Sequence, residues 1–192
     1  MGIEYELKFK ATAQQQSLVR QLFDAPEQVI AMETTYYDTP SGQLSARHYT
    51  LRRRMENGCS VCTLKAPAEL GRGEWEMACD DIWAAIPELC KLGAPDDLAS
   101  LTQEGLIEVC GARFTRIAKT VDLPEATVEI ALDSGVLLGG GREIPLCEIE
   151  VELKAGSPQA VAAFAQRLAV GVGLTPEKHS KFRRALALYR GE

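Results

Sequence analysis

The chain has 192 residues, 46% of them hydrophobic and 25% charged, with a net charge of -6. That length and apolar fraction suit one domain, 1–192, with its own core, and the acidic balance argues against nucleic acid, which selects a basic face. No run approaches the roughly 18 apolar residues of a membrane span, and no signal-peptide pattern opens the chain, so a cytoplasmic protein with no membrane partner is expected.

Residues 2–10 alternate as a strand does: Ile3, Tyr5, Leu7 and Phe9 take one face, and Glu4, Glu6 and Lys8 the other. An amphipathic helix is expected over 13–24, followed by strands at 30–38, 47–55, 59–66 and 72–79. Asn57-Gly58 marks a hairpin turn. Asp80-Asp81 opens a helical pattern, and the stretch to 104 reads as short helices broken at Gly93 and Pro95. Strands resume at 106–121, 126–138 and 144–154. The last two join across Gly139-Gly140-Gly141, where the lack of a following Lys-Ser/Thr favours a hairpin over a phosphate loop. Pro158 opens a helix to 170, and Pro176 opens a last one through Ala187.

Eight strands, mostly hairpin-connected, with helices bunched in three places, give an α+β protein dominated by its sheet. Charge is sorted by strand. Acids gather on the first, seventh and eighth strands as Glu4 and Glu6, Glu129 and Asp133, and Glu148, Glu150 and Glu152. Bases gather between them as Arg52 and Arg54, Lys65 and Arg72, the last beside Glu74 and Glu76. A solvated face needs no such sorting. Closing the sheet into a barrel with the charged face inward removes its edges and brings both signs around a lumen. Burying so many charges is costly unless they are paired or matched by a ligand, which points to a metal cation and a polyanion inside.

Other chemistries have little support. Among six cysteines only Cys59 and Cys62 form a C-x-x-C, without a second pair or a nearby histidine to complete a zinc site. Spaced by three on a strand, they point to opposite faces and read as free thiols. His48 and His179 are too few for a histidine metal cluster, and no local signature supports a serine-histidine-acid triad.

Taken in order, these motifs resemble the CYTH superfamily of triphosphate tunnel metalloenzymes over essentially the whole chain. The Glu-x-Glu-x-Lys opening stands as Glu4, Glu6 and Lys8, the second-strand motif as Tyr36-Tyr37-Asp38-Thr39-Pro40, and the paired arginines as Arg52 and Arg54. Lys65, Arg72 with Glu74, Arg116, Glu129 with Asp133, the acidic eighth strand and Ser180-Lys181 follow. Ala118 departs from the pattern, which commonly has a second base there.

The resemblance implies an eight-stranded antiparallel closed β-barrel, a tunnel with a charged lumen flanked by helices, that binds a triphosphate and acts on it with Mg²⁺ or Mn²⁺. Glu4, Glu6, Lys8 and Lys65 are then the candidate catalytic residues. Lys8, Arg52, Arg54, Lys65, Arg72, Arg116 and Lys181 would bind the substrate, since arginine's planar fork suits phosphate oxygens. Glu4, Glu6, Glu148, Glu150, Glu152 and Asp133 would supply oxygen ligands to the metal. Tyr36 and Tyr37 read as packing residues and Thr39-Pro40 as a turn; Arg53, Arg113 and Lys119 fall on the opposite face, outside the site. Glu74, Glu76 and Glu129 stand as either ligands or wall charges. The leading activity is inorganic triphosphatase, ahead of class IV adenylyl cyclase, thiamine triphosphatase and a non-catalytic polyphosphate or nucleotide sensor.

Overall fold

The computed structural model describes residues 2, 3, 5–68 and 72–192, with the backbone alone at 2 and 3. The N-terminal segment forms β1 (Gly2–Ile3) and β2 (Glu6–Lys10), followed by α1 (Ala13–Leu22) and β3 (Glu27–Asp38). A short α2 (Gln43–Ala46) precedes the meander β4 (Thr50–Glu56), β5 (Cys59–Pro67) and β6 (Arg72–Ala78). Helices α3 (Ile82–Lys91) and α4 (Leu98–Leu101) lead to a second meander of long strands, β7 (Ile107–Leu123), β8 (Ala126–Gly139) and β9 (Arg142–Gly156). The chain ends with α5 (Pro158–Val172), β10 (Thr175–Pro176) and α6 (Lys181–Arg190).

The described strands form one antiparallel ladder in the order β1-β6-β5-β4-β3-β7-β8-β9-β2-β10. Its two sides meet in a single N-terminal segment. Gly2 lies beside Glu74 of β6, while Leu7 lies beside Val151 of β9, so that segment reaches both walls of the tunnel, and among the described residues no strand pairing closes the ladder into the expected hydrogen-bonded barrel. The two segments beyond the expected eight are the two-residue pieces β1 and β10.

Apolar residues on the outer face are covered by helices. Leu51, Leu64 and Trp75 pack beneath Ile86, Leu89 and Leu98 of α3 and α4. Phe9, Val128, Ile130, Ile149 and Val151 pack beneath α5 through Val161, Phe164 and Leu168. Helix α6 is different: Ala185 and Leu186 pack on Phe114, Leu137 and Leu146, which by the two-residue period share a strand face with Arg116, Asp133 and Glu148. It therefore closes one end of the tunnel from within.

Tight turns set the registers. Asn57 (φ 49°) with Gly58 (φ 88°), and Gly140 (φ 58°) with Gly141 (φ 72°), give two-residue loops with both φ positive, the geometry that matches strand twist. Ahead of the second loop, a Cβ on Gly139 would stand 2.4 Å from the Ala185 carbonyl oxygen, so α6 lies directly on that hairpin.

The structure departs from the sequence expectation in three segments, in the first of which β3 begins at Glu27, not at 30. β4 begins at Thr50, not 47, because the Asp38 carboxylate accepts bonds from the backbone N–H groups of Thr39 and Leu44 at 2.8 and 2.9 Å, and from Ser45. Those bonds wind residues 43–46 into α2. Pro176 does not open a helix. The Glu177 N–H donates to the Lys8 carbonyl at 2.8 Å, which keeps that stretch extended beside β2, and Ser180 caps α6 by accepting from Arg183 N–H at 3.1 Å. Among the described residues no helix is long and apolar enough to cross a membrane.

Candidate functional site

Strand alternation and the closing helix bring one row of charge into the lumen. Lys8 of β2, Arg52 and Arg54 of β4, Lys65 of β5, Arg72 of β6, Arg116 of β7 and Lys181 of α6 line a cavity of about 340 Å³ together with Glu6, Glu150 and Glu152. Register places Glu6 beside Glu152 and Lys8 beside Glu150 across β2 and β9. The Lys8 ammonium donates to Glu6 at 2.6 Å. Glu4, expected as a catalytic and metal-binding residue, lies outside the described residues.

The cavity has two unlike walls. On the acidic wall, carboxylate oxygens of Asp133, Glu148 and Glu150 come within 4.8 Å of one another. Asp133 and Glu148 are fully buried behind the lining, not on it. Their charge is met from both sides. Arg116 donates to both oxygens of Asp133 at 2.8 Å and to Glu150 at 2.5 Å. Lys181 stands 2.7 Å from Asp133 and 2.8 Å from Glu150 and also touches Glu148, which Arg184 contacts from α6.

These contacts push the titrations apart. Burial raises the Glu148 pKa despite Lys181 nearby. Burial would raise Glu150 too, but Lys181 and Arg116 outweigh it and hold that carboxyl below its ordinary range. Burial would lower Lys181, yet Glu150, Asp133 and Glu148 raise it, so the ammonium stays charged.

Among the described residues, buried donors without a hydrogen-bond partner stand on both walls, Arg184 Nε beside Glu148 being one. On the basic wall, the Nε atoms of Arg52 and Arg54 are buried with no such partner. Arg52 has Glu74 only at 3.6 Å, and Arg54 touches Glu56. Burial, then the neighbouring Arg52 charge, lowers the Arg54 pKa, which marks a cation held where positive charge is in surplus. Lys65 also reaches Glu74, at 3.4 Å. Arg72 donates to the His48 carbonyl and to the Thr50 hydroxyl at 3.2 and 2.8 Å, which ties the start of β6 to β4.

The remaining sequence candidates separate cleanly. Tyr37 is in the outer core, while Tyr36 lines the cavity and packs on Phe182 with ring centroids 5.1 Å apart. Thr39 fixes the turn by accepting from Gln43 N–H at 2.9 Å. Arg53 reaches the Asp80 carbonyl at 3.1 Å, and Arg113 pairs with Glu143 on the surface. Lys119 donates to the Arg20 and Phe23 carbonyls at 2.7 Å, capping the end of α1. Glu129 stands 4.0 Å from Arg116 and 3.8 Å from Lys154, and Glu76 is exposed.

Two contributors were missed. Arg184 is three residues beyond Lys181, a helical spacing that puts both on one face, so the sequence carried that signal. Gln16, whose amide donates to the Asp133 and Glu148 carbonyls at 2.9 Å each, is one of three successive glutamines and carried none.

Comparison with known proteins agrees with this architecture. An inorganic triphosphatase of Haemophilus influenzae is 28% identical over 146 residues, which cover 73% of this chain and 41% of that protein. The chain thus spans about two fifths of the length of the curated relative it matches. Among solved structures, a Hippeastrum protein described as a putative adenylyl cyclase with a dominant triphosphatase activity superposes with a TM-score of 0.68 at 18% identity, over 98% of this chain and 96% of that one. A Pyrococcus horikoshii protein does so with a TM-score of 0.63 at 25% identity, over 98% and 99%. A CYTH domain is matched across residues 2–186, and the chain belongs to the CYTH domain family.

Proposed function

We propose that the protein hydrolyses inorganic triphosphate to diphosphate and phosphate with the help of Mg²⁺ or Mn²⁺. The observation that carries this reading is the pair of buried, unpartnered Nε donors on Arg52 and Arg54 beside a cavity lined by seven basic side chains. A buried donor without a partner is costly, and a chain of phosphate oxygens relieves that cost at both arginines together. The name of the Haemophilus relative supports the same substrate.

The donor set fits the proposed metal. Glu6, Glu150 and Glu152 offer oxygen only, as hard divalent cations require, and Asp133 and Glu148 stand behind Glu150. A bound Mg²⁺ or Mn²⁺ would neutralise phosphate oxygens and lower the pKa of a bound water toward neutrality. The chain's own residues do the rest. Arg52, Arg54, Lys8 and Lys65 hold the polyanion in line and offset its charge. Tyr36, Phe114 and Phe182 close the lumen beside them and limit access of bulk water.

Fixed charge dominates the lining, so a bare tripolyphosphate should satisfy the site better than a nucleotide. A cyclase must also orient a ribose hydroxyl against the α-phosphate, which needs contacts beyond the charged row. Assayed with tripolyphosphate, ATP and thiamine triphosphate, the protein is expected to prefer tripolyphosphate by at least about tenfold in kcat/KM, roughly 1.4 kcal/mol. Orthophosphate should appear as product. A better rate with ATP, with cyclic AMP accumulating and no orthophosphate, would overturn the assignment.

A further inference from the structure

Gln16 of α1 is 8% exposed and sits outside the barrel wall, away from the cavity lining. Its Nε2 donates to the carbonyl oxygens of Asp133 and Glu148, each at 2.9 Å, and its Oε1 accepts from the Ser134 hydroxyl at 2.6 Å. Both amide protons and an acceptor lone pair are therefore used. Asp133 and Glu148 face each other across β8 and β9. One side chain thus clamps, from outside, the rung whose side chains form the acidic wall inside.

The clamp is itself anchored. Thr12 and Gln15 cap α1 reciprocally, and Gln15 Nε2 donates to the Gly173 carbonyl at 2.8 Å, tying the helix to the end of α5. The Ala11 N–H donates to the Cys147 carbonyl at 3.1 Å, next to Glu148. Inside, Asp133 holds Arg116 by two bonds and Lys181 at 2.7 Å, and both cations reach the cavity although Asp133 does not. A bidentate pair tolerates little displacement of its carboxylate, and the mutual repulsion of three close carboxylates pushes toward displacement.

We infer that Gln16 is a positioning residue that, by fixing the backbone of Asp133 and Glu148, aims Arg116 and Lys181 at the bound polyanion. The inference rests on the reading that the cavity takes a triphosphate. Gln16→Met keeps the length of the side chain and removes all three bonds. Ser134→Ala removes one and is the milder form of the same change. Val161→Ala, on the buried face of α5, lowers stability without removing a bond to the rung.

Tripolyphosphate binding would be measured by calorimetry on the whole protein in excess EDTA, below the melting temperature of each variant. Affinity should fall about tenfold in Gln16→Met and by less in Ser134→Ala, and should not change in Val161→Ala. In parallel, the rate at which an N-hydroxysuccinimide ester acylates Lys181, read by mass spectrometry, should rise in Gln16→Met and stay unchanged in Val161→Ala. If Gln16→Met does not fold, the same two readouts on Ser134→Ala decide. Wild-type affinity and wild-type Lys181 labelling in the folded variant would overturn the inference. If the wild-type protein binds no tripolyphosphate, the functional reading fails and the labelling alone decides the role of Gln16.

Discussion

Arg54 shows how one side chain can serve binding at the expense of the fold. Its guanidinium is half-buried beside Arg52 and touches Glu56, its pKa is depressed by burial and by the like charge, and its buried Nε has no hydrogen-bond partner among the described residues. The depressed pKa and the unpartnered donor each disfavour the free folded state, and each is relieved by a phosphate oxygen. Arg54→Met should therefore weaken tripolyphosphate binding by about ten- to a hundredfold, the range for losing a charge-assisted hydrogen bond, while leaving the melting temperature equal or higher. Calorimetry and thermal melts on the same samples check both halves. A variant that binds normally, or that melts well below the wild type, would show that Arg54 is held for packing.

At the scale of elements, α1 is fastened to the barrel by charge as well as by Gln16. Arg20 near its end forms two hydrogen bonds with Glu27 at the start of β3, at 2.6 and 2.8 Å, and Lys119 lies 3.3 Å from the same carboxylate. The Arg20 hydrogen bonds are the largest cause of a Glu27 pKa lowered from 4.5 to about 2, with burial opposing and Lys119 adding to the shift. A carboxylate whose folded pKa is depressed contributes stability that is present above its unfolded value and lost as pH falls through its folded value. Glu27 should thus contribute fully above pH 4.5 and progressively less down to pH 2. Melting temperatures across that window should fall less steeply in Glu27→Gln than in the wild type. Parallel curves for the two proteins would place the acid sensitivity elsewhere.

For the whole molecule, assembly of the tunnel couples stability to its contents. The N-terminal segment joins β6 to β9, and α6 enters from one end, so the charged lumen forms only when distant parts of the chain meet. A ligand that binds this lumen binds the folded state alone and stabilises it by mass action, about 2.7 kcal/mol at a hundredfold excess over Kd. For a chain of this size that corresponds to roughly 5–10 °C in melting temperature. Tripolyphosphate with Mg²⁺ should give such a shift in a thermal melt. Turnover should vanish in excess chelator and return with Mg²⁺ or Mn²⁺, because oxygen-only sites hold these ions weakly without substrate phosphates. Full turnover in chelator would remove the metal from the proposal.

The two-residue period of a strand assigns every side chain to a face before any tertiary contact exists, which is why Glu6, Lys8, Arg52, Arg54, Lys65 and Glu150 could be read as lumen residues from the sequence, with the hairpin turns at Asn57-Gly58 and Gly140-Gly141, whereas the family resemblance alone places Arg116 there. What periodicity leaves open is which charge meets which. Arg116 finds Asp133 because β7 and β8 pair in one register, and Lys181 reaches the same acids only because α6 enters the tunnel. Those pairings make Arg116 and Lys181 counter-ions of the acidic wall and leave Arg52 and Arg54 with spare donors. The clamp by Gln16, 117 and 132 residues from its two carbonyl partners, and the Asp38 bonds that wind α2 are of the same kind. A charge's face follows from local backbone geometry, whereas its partner follows from strand order and from where a helix end is held, and only the folded chain decides those.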